Sequence, residues 1–235
     1  MREYRRGMRI RRLSLATVDP EAQAAFWGER LGLPVGWVGD DEVEVRLRDS
    51  TIAFRRAAGL DARYHFAINL PPGTIAAAVA WVRERHELLA VHGEDEGEDV
   101  VRTDVGAGCV YFLDAAGNVA ELISSPYVEG APAAGFGPGS LIEVAEVGIA
   151  ATDYDGTCAA VREFFGEEVL WGGGPGSELT AVGDHHAVVI VAPAGRGWIP
   201  VGLTARPLPT EIVAYGSEPR ELTLPEGPYL LRVAA

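Results

Sequence analysis

Three segments alternate between apolar and small or polar residues and then stop at Asp or Pro: "RRLSLATVDP", "RYHFAINLPP" and "AEVGIAATDY". In the first, Leu13, Leu15 and Thr17 share one face and Arg12, Ser14 and Ala16 the other. In the second, Phe66, Ile68 and Leu70 oppose His65, Ala67 and Asn69. In the third, Val147, Ile149 and Ala151 oppose Glu146, Gly148 and Ala150. A period of two predicts strands, each with one greasy face and one face of small residues led by a polar group.

Each strand leads into a helical pattern. "DPEAQAAFWGERLGLP" has Asp19 as cap, Pro20 at the first helical position, Gly32 as stop and a stripe of Ala24, Trp27 and Leu31. "TIAAAVAWVRERHELL" and "DYDGTCAAVREFFGEE" carry the same kind of stripe, which makes Cys158 core filler. Short strands follow that turn near Asp49, Asp114 and Asp184. The unit is strand, helix, then two or three strands, repeated over about residues 8–57, 63–125 and 140–193. The tail from Trp198 reads as a fourth unit without its helix. "SSPYVEGAPAAGFGPGS" reads as a linker.

The expected fold class is therefore α+β, with repeated βαβββ units and helices packed on the greasy face. The opposite face would curve round a cavity, with Arg12, His65 and Glu146 at one point of three equivalent strands. Glu121 joins them on the last strand of unit two. A buried carboxylate there costs several kcal/mol unless a cation meets it.

Charge narrows the function. The chain has 34 acidic and 20 basic side chains and a formal net charge of −14, which disfavours nucleic-acid partners. No apolar run approaches a membrane span, and no secretory signal is evident. Two cysteines make no disulfide framework or zinc pattern, so a reducing, cytoplasmic setting is expected. "HGEDEGED" (His92 to Asp99) lacks calcium-loop spacing and reads as a solvated loop, and adjacent His185 and His186 read as solvated turn residues. "LWGGGPGSE" lacks the lysine and hydroxyl of a phosphate loop.

The segments "LSLATVDPEAQAAFWGERLGLPV", "YHFAINLP" and "VYFLDAAGNVAELI" together resemble the vicinal oxygen chelate superfamily of glyoxalases, extradiol dioxygenases and bleomycin-resistance proteins. The last segment matches that superfamily's closing hairpin, F-x-D-P-x-G-N-x-x-E. The resemblance implies U-shaped sheets around a divalent metal, with ligand positions on His65 and Glu121. The first unit's ligand position falls on Arg12, which stays protonated and cannot ligate. It also implies a first domain over 8–125, a linker over 126–139 and a second domain over 140–235. Pairing of units within or between chains leaves a homodimer open.

Two readings follow. In one, His65 and Glu121 hold Zn, Fe, Mn or Ni, and the protein is a lyase, isomerase or dioxygenase acting on a small oxygen-chelating molecule. In the other, Arg12 neutralises Glu121 without metal, and the cavity of the first domain sequesters an anionic small molecule. Arg12, Tyr111 and Arg55 are the ligand-binding candidates in either case. Glu146 and Trp198 are weaker candidates.

Overall fold

The computed structural model describes residues 7–90, 100–103, 106–130, 135–174, 177–225 and 227–235. The acidic run 92–99 lies outside them. Unit one comprises β1 (Ile10–Thr17), the helix α1 (Pro20–Ala24, continued by wider turns over Ala25–Arg30), β2 (Val35–Val38), β3 (Glu42–Arg46) and β4 (Thr51–Arg56). Unit two comprises β5 (His65–Leu70), α2 (Ile75–Arg83), β6 (Val101–Arg102), β7 (Gly108–Leu113) and β8 (Val119–Ser124). Unit three comprises β9 (Val144–Ala151), α3 (Tyr154–Phe165), β10 (Val169–Gly172), β11 (Thr180–Gly183) and β12 (Val188–Pro193). A two-stranded hairpin follows, β13 (Gly197–Trp198) and β14 (Leu203–Thr204). Strands β15 (Thr210–Tyr215), β16 (Arg220–Leu224) and β17 (Tyr229–Ala234) then form a fourth unit that has no helix, as its sequence suggests.

The first helix starts where its residues say. Asp19 Oδ1 accepts from Ala22 N–H, Pro20 opens the helix, and Gly32 adopts φ +77 beyond it. Trp27 is fully buried and packs against Phe54, Phe66 and Phe112, so the helix ties units one and two together. The greasy faces read from the alternation all enter one core: Leu13 and Leu15, Phe66, Ile68 and Leu70, Val147, Ile149 and Ala151.

In every unit the first and last strands are parallel neighbours: β1 with β4, β5 with β8, β9 with β12 and β15 with β17. The units join through their first strands, antiparallel, and here one expectation is corrected. Unit two pairs with unit three (β5 with β9), and unit one pairs with the C-terminal strands (β1 with β15). The cavity beside His65 and Glu121 is thus closed by unit three, across the 126–139 linker, and not by unit one within 8–125. Sequence neighbours need not share a sheet edge when their exposed first strands find other partners.

The closing hairpin of unit two is held by its own motif. Asp114 Oδ1 accepts from the backbone N–H of Ala116 and Asn118. Its Oδ2 accepts from Asn118 Nδ2 at 2.8 Å and Gln23 Nε2 at 2.9 Å. Gly117 takes φ +77 in this turn, a conformation open to glycine at little cost. Gln23 accepts from Trp27 Nε1, and Asn118 Oδ1 accepts from Tyr64 N–H, so the motif's Asp and Asn anchor helix α1 to unit two. Its Glu is left for the cavity.

Candidate metal centre between units two and three

Burial forces the residues of the small-residue face together. Ala67, Ala145 and Val119 leave room beside β5, β8 and β9, and three polar side chains fill part of it. His65 Nε2 lies 3.5 Å from Glu121 Oε2 and 3.6 Å from Glu146 Oε2. One ligand-capable atom from each of these residues falls within 4.8 Å of the others. His65 and Glu121 are the pair expected from the sequence. Glu146, the weaker candidate, completes the trio because unit three supplies the second first strand.

The electrostatics are those of a site that lacks a cation. Burial, then the facing Glu146 carboxylate, pushes Glu121 up to about 7, while His65, Cys109 and Tyr111 pull the other way. Burial alone would lower the His65 imidazole, but its hydrogen bond to the Glu146 carboxylate and the charges of both carboxylates outweigh it and raise it. Cys109 and Tyr111 lie within reach of Glu121 on the neighbouring strand, and burial followed by the Glu121 charge raises both. Among the described residues, neither Glu121 nor Glu146 has an arginine partner. One imidazole nitrogen and two carboxylates, converging without a basic side chain, form a donor set suited to a divalent metal.

Register shows where a fourth donor would stand. Glu121 is opposite Ala67 in the β5–β8 pair, and the corresponding residue of unit three is Ile190, opposite Gly148. An isoleucine cannot ligate, so three potential donors, His65, Glu121 and Glu146, face the cavity. The other pair of units, in the same register, places Arg12, Ala53, Glu211 and Arg232 at these four positions. Arg12 pairs with Glu42 at 2.5 Å and with Glu44, and Arg232 pairs with Glu211 at 2.9 Å. Ion-paired residues occupy there the places that His65 and Glu146 occupy here.

The Arg12–Glu121 pair expected in the metal-free alternative is not formed. Arg12 does not reach Glu121, because β1 pairs with β15 and its guanidinium is spent on Glu42 and Glu44. Arg55 likewise donates to Glu42 Oε2 at 2.8 Å and lies outside the cavity wall. Of the three ligand-binding candidates only Tyr111 lines the cavity, alongside His65, Glu121 and Glu146.

The cavity measures about 330 Å³, and its wall includes Ile123, Val188, Ile190, Trp171 and Trp198. Trp198, in the hairpin that belongs to no unit, stacks on the His65 ring at 5.5 Å between centroids and 25° between planes. Gly148 makes this possible: a Cβ there would sit 2.7 Å from Trp198 Cη2. Gly148→Ala is expected to push Trp198 off the imidazole, cost about 1–3 kcal/mol of stability through overpacking, and weaken cobalt(II) binding about tenfold as His65 loses its fixed orientation. Thermal unfolding and isothermal titration measure the two effects separately.

No family model and no curated protein matches the chain by sequence. Solved structures do match. A Bacillus subtilis protein whose dioxygenase name is provisional superposes with a TM-score of 0.62 at 14% identity, over 97% of this chain and 84% of that one. Glyoxalase I from Zea mays superposes with a TM-score of 0.57 at 12% identity, over 96% and 92%. The chain has the fold of the vicinal oxygen chelate superfamily, as its sequence motifs suggest. No helix among the described residues is long and apolar enough to cross a membrane.

Proposed function

We propose that the protein holds one divalent metal at His65, Glu121 and Glu146 and uses it to bind and transform a small molecule with neighbouring oxygen atoms. The observation that carries this reading is the approach of three ligand atoms, from buried His65 and Glu121 and half-buried Glu146, to within 4.8 Å of one another. When bound, the metal would act as a Lewis acid that stabilises negative charge developing on a substrate oxygen.

The chain's own residues do the rest. His65, held under Trp198, presents Nε2 to the site, and the two carboxylates balance the metal's charge. Ile123, Val188, Ile190 and the tryptophans exclude water from the apolar part of the bound molecule. The apolar residue at the fourth register position leaves coordination open, the hallmark of a catalytic rather than a structural site. This favours an enzyme over a sequestering protein. The donor set, two oxygen ligands to one nitrogen, favours manganese(II) or iron(II) over softer ions.

Chelator-stripped protein, challenged with manganese(II), iron(II), cobalt(II), nickel(II) and zinc(II), is expected to gain roughly 5–10 °C in melting temperature at a metal concentration about 100-fold above Kd. A chain that gains nothing from any of these ions, and retains none after dialysis, would not support the reading.

A further inference from the structure

The cavity wall carries a second ionisable pair, separate from the candidate metal ligands. His186 stands in the turn between β11 and β12 and lines the same cavity. Its Nδ1 is buried and has no hydrogen-bond partner among the described residues. Glu143 Oε1, 3.6 Å away, is likewise buried and likewise unpartnered. The other oxygen of Glu143 accepts from Arg9 Nη1 at 2.9 Å, so the free oxygen is held aimed at the imidazole.

The turn itself is fixed from two sides. His186 N–H donates to Asp184 Oδ1 at 2.8 Å, and its carbonyl accepts from Asn69 Nδ2 at 2.7 Å, Asn69 being another cavity residue. The His186 side chain is 21% exposed although Nδ1 is buried, so its open edge is the one away from Glu143. Adjacent His185, at the cavity rim, is exposed, as expected from the sequence, and stacks on Tyr127 at 3.9 Å. His186 departs from that expectation, since its Nδ1 is buried.

We propose that His186 is the acid–base group of the cavity and that Glu143 is its positioning residue. The proposal rests on the reading that the cavity binds a small molecule with neighbouring oxygens. In the neutral state Nδ1 carries the hydrogen, facing Glu143, and Nε2 presents its lone pair to the cavity. Nε2 takes a proton from a hydroxyl, or from carbon beside a carbonyl, of the bound molecule. The N–H bond forms as the O–H or C–H bond breaks, and the electron pair stays on the substrate. The imidazolium is then stabilised by the Glu143 carboxylate and returns the proton in a later step. No oxidant or reductant enters this transfer.

The charged groups around the pair are few. Arg9 pairs with Glu143, Asp49 acts on Glu143, Asp184 holds the His186 backbone, and His65, Glu121, Glu146, His185 and Arg196 share the cavity. Burial raises the Glu143 carboxyl, and Arg9 and His186 oppose that rise.

Nitrogen-15 spectra of the full-length protein test the pair, with His186→Asn providing the assignment. Wild-type His186 is expected to be the Nδ1–H tautomer when neutral, and Glu143→Ala is expected to shift the neutral ring toward the Nε2–H tautomer. The Nε2–H tautomer of free histidine, or a tautomer unmoved by Glu143→Ala, would overturn the positioning role. The acid–base role is read with 4-nitrocatechol, a vicinal diol whose ionisation is visible, added to manganese-loaded protein. Wild type is expected to bind it with loss of a proton, and His186→Gln to bind it at least about tenfold more weakly or still protonated. Equal affinity and an identical bound spectrum in His186→Gln would overturn the proposal. Failure of metal-loaded wild type to take up the diol would count against the small-molecule reading itself, and the tautomer result then decides the His186–Glu143 pair alone.

Discussion

Glu146→Gln is expected to abolish the metal-induced rise in melting temperature while leaving the metal-free protein as stable as wild type or more so. The two halves of this result have one cause. In the metal-free state Glu146 is a like charge facing buried Glu121, and it raises that carboxyl. Removing the charge relieves the repulsion and still leaves His65 the carboxylate of Glu121 at 3.5 Å. With metal, the same carboxylate is one of three donors, and its loss is expected to weaken binding at least about 100-fold, equivalent to about 2.8 kcal/mol. Thermal unfolding with and without manganese(II) separates these effects. A variant that keeps the full metal-dependent rise would remove Glu146 from the site.

The second large effect lies away from the cavity. Asp114→Ala is expected to destabilise the protein by about 3–5 kcal/mol, because it strands Gln23 Nε2, Asn118 Nδ2 and two backbone N–H groups in a buried turn. For a chain of this length that corresponds to a fall in melting temperature of roughly 10 °C or more. Asp114→Asn should fall between, since it retains an acceptor. Metal stoichiometry well below the transition should not change in either variant, because Asp114 anchors the hairpin and does not enter the cavity. A loss below about 1 kcal/mol would mean that the bonded turn contributes no more than an ordinary surface substitution.

Asp114 and Glu121 belong to one sequence motif, whereas Glu146 does not, and the contrast shows what was legible and what was not. Alternation alone assigned the faces of β1, β5 and β9, since a strand buried on one side cannot hide its period. The spacing of Asp114, Gly117, Asn118 and Glu121 identified the closing hairpin, and the greasy neighbours of Glu121 marked it as a carboxylate in need of a partner. His65 was legible for the same reason, as a polar group leading a face of small residues.

Partnership was not legible. Whether β5 pairs with β1 or with β9 depends on contacts between strands about 80 residues apart in one case and about 50 in the other, and no local pattern encodes that choice. Arg12 therefore looked like a neighbour of Glu121, and Glu146 looked isolated. The strand pairing reverses both relations. The pairing of Glu143 with His186 escaped notice for a related reason: they come from separate segments, and only the docking of the β11–β12 turn against the start of β9 brings Nδ1 and Oε1 to 3.6 Å. Trp198 was visible as a large residue in a Gly/Pro-rich stretch, but its stacking on His65 depends on the bare backbone at Gly148.

The central claim is that one cation sits among His65, Glu121 and Glu146. A crystal of the manganese-loaded protein, with diffraction collected to reveal anomalous scattering, addresses it most directly. The account predicts a single strong peak within about 2.0–2.3 Å of His65 Nε2 and of an oxygen from each of Glu121 and Glu146, and no peak beside Arg12 and Glu211. Loaded protein with no peak at this position, or with metal bound only elsewhere, would contradict it.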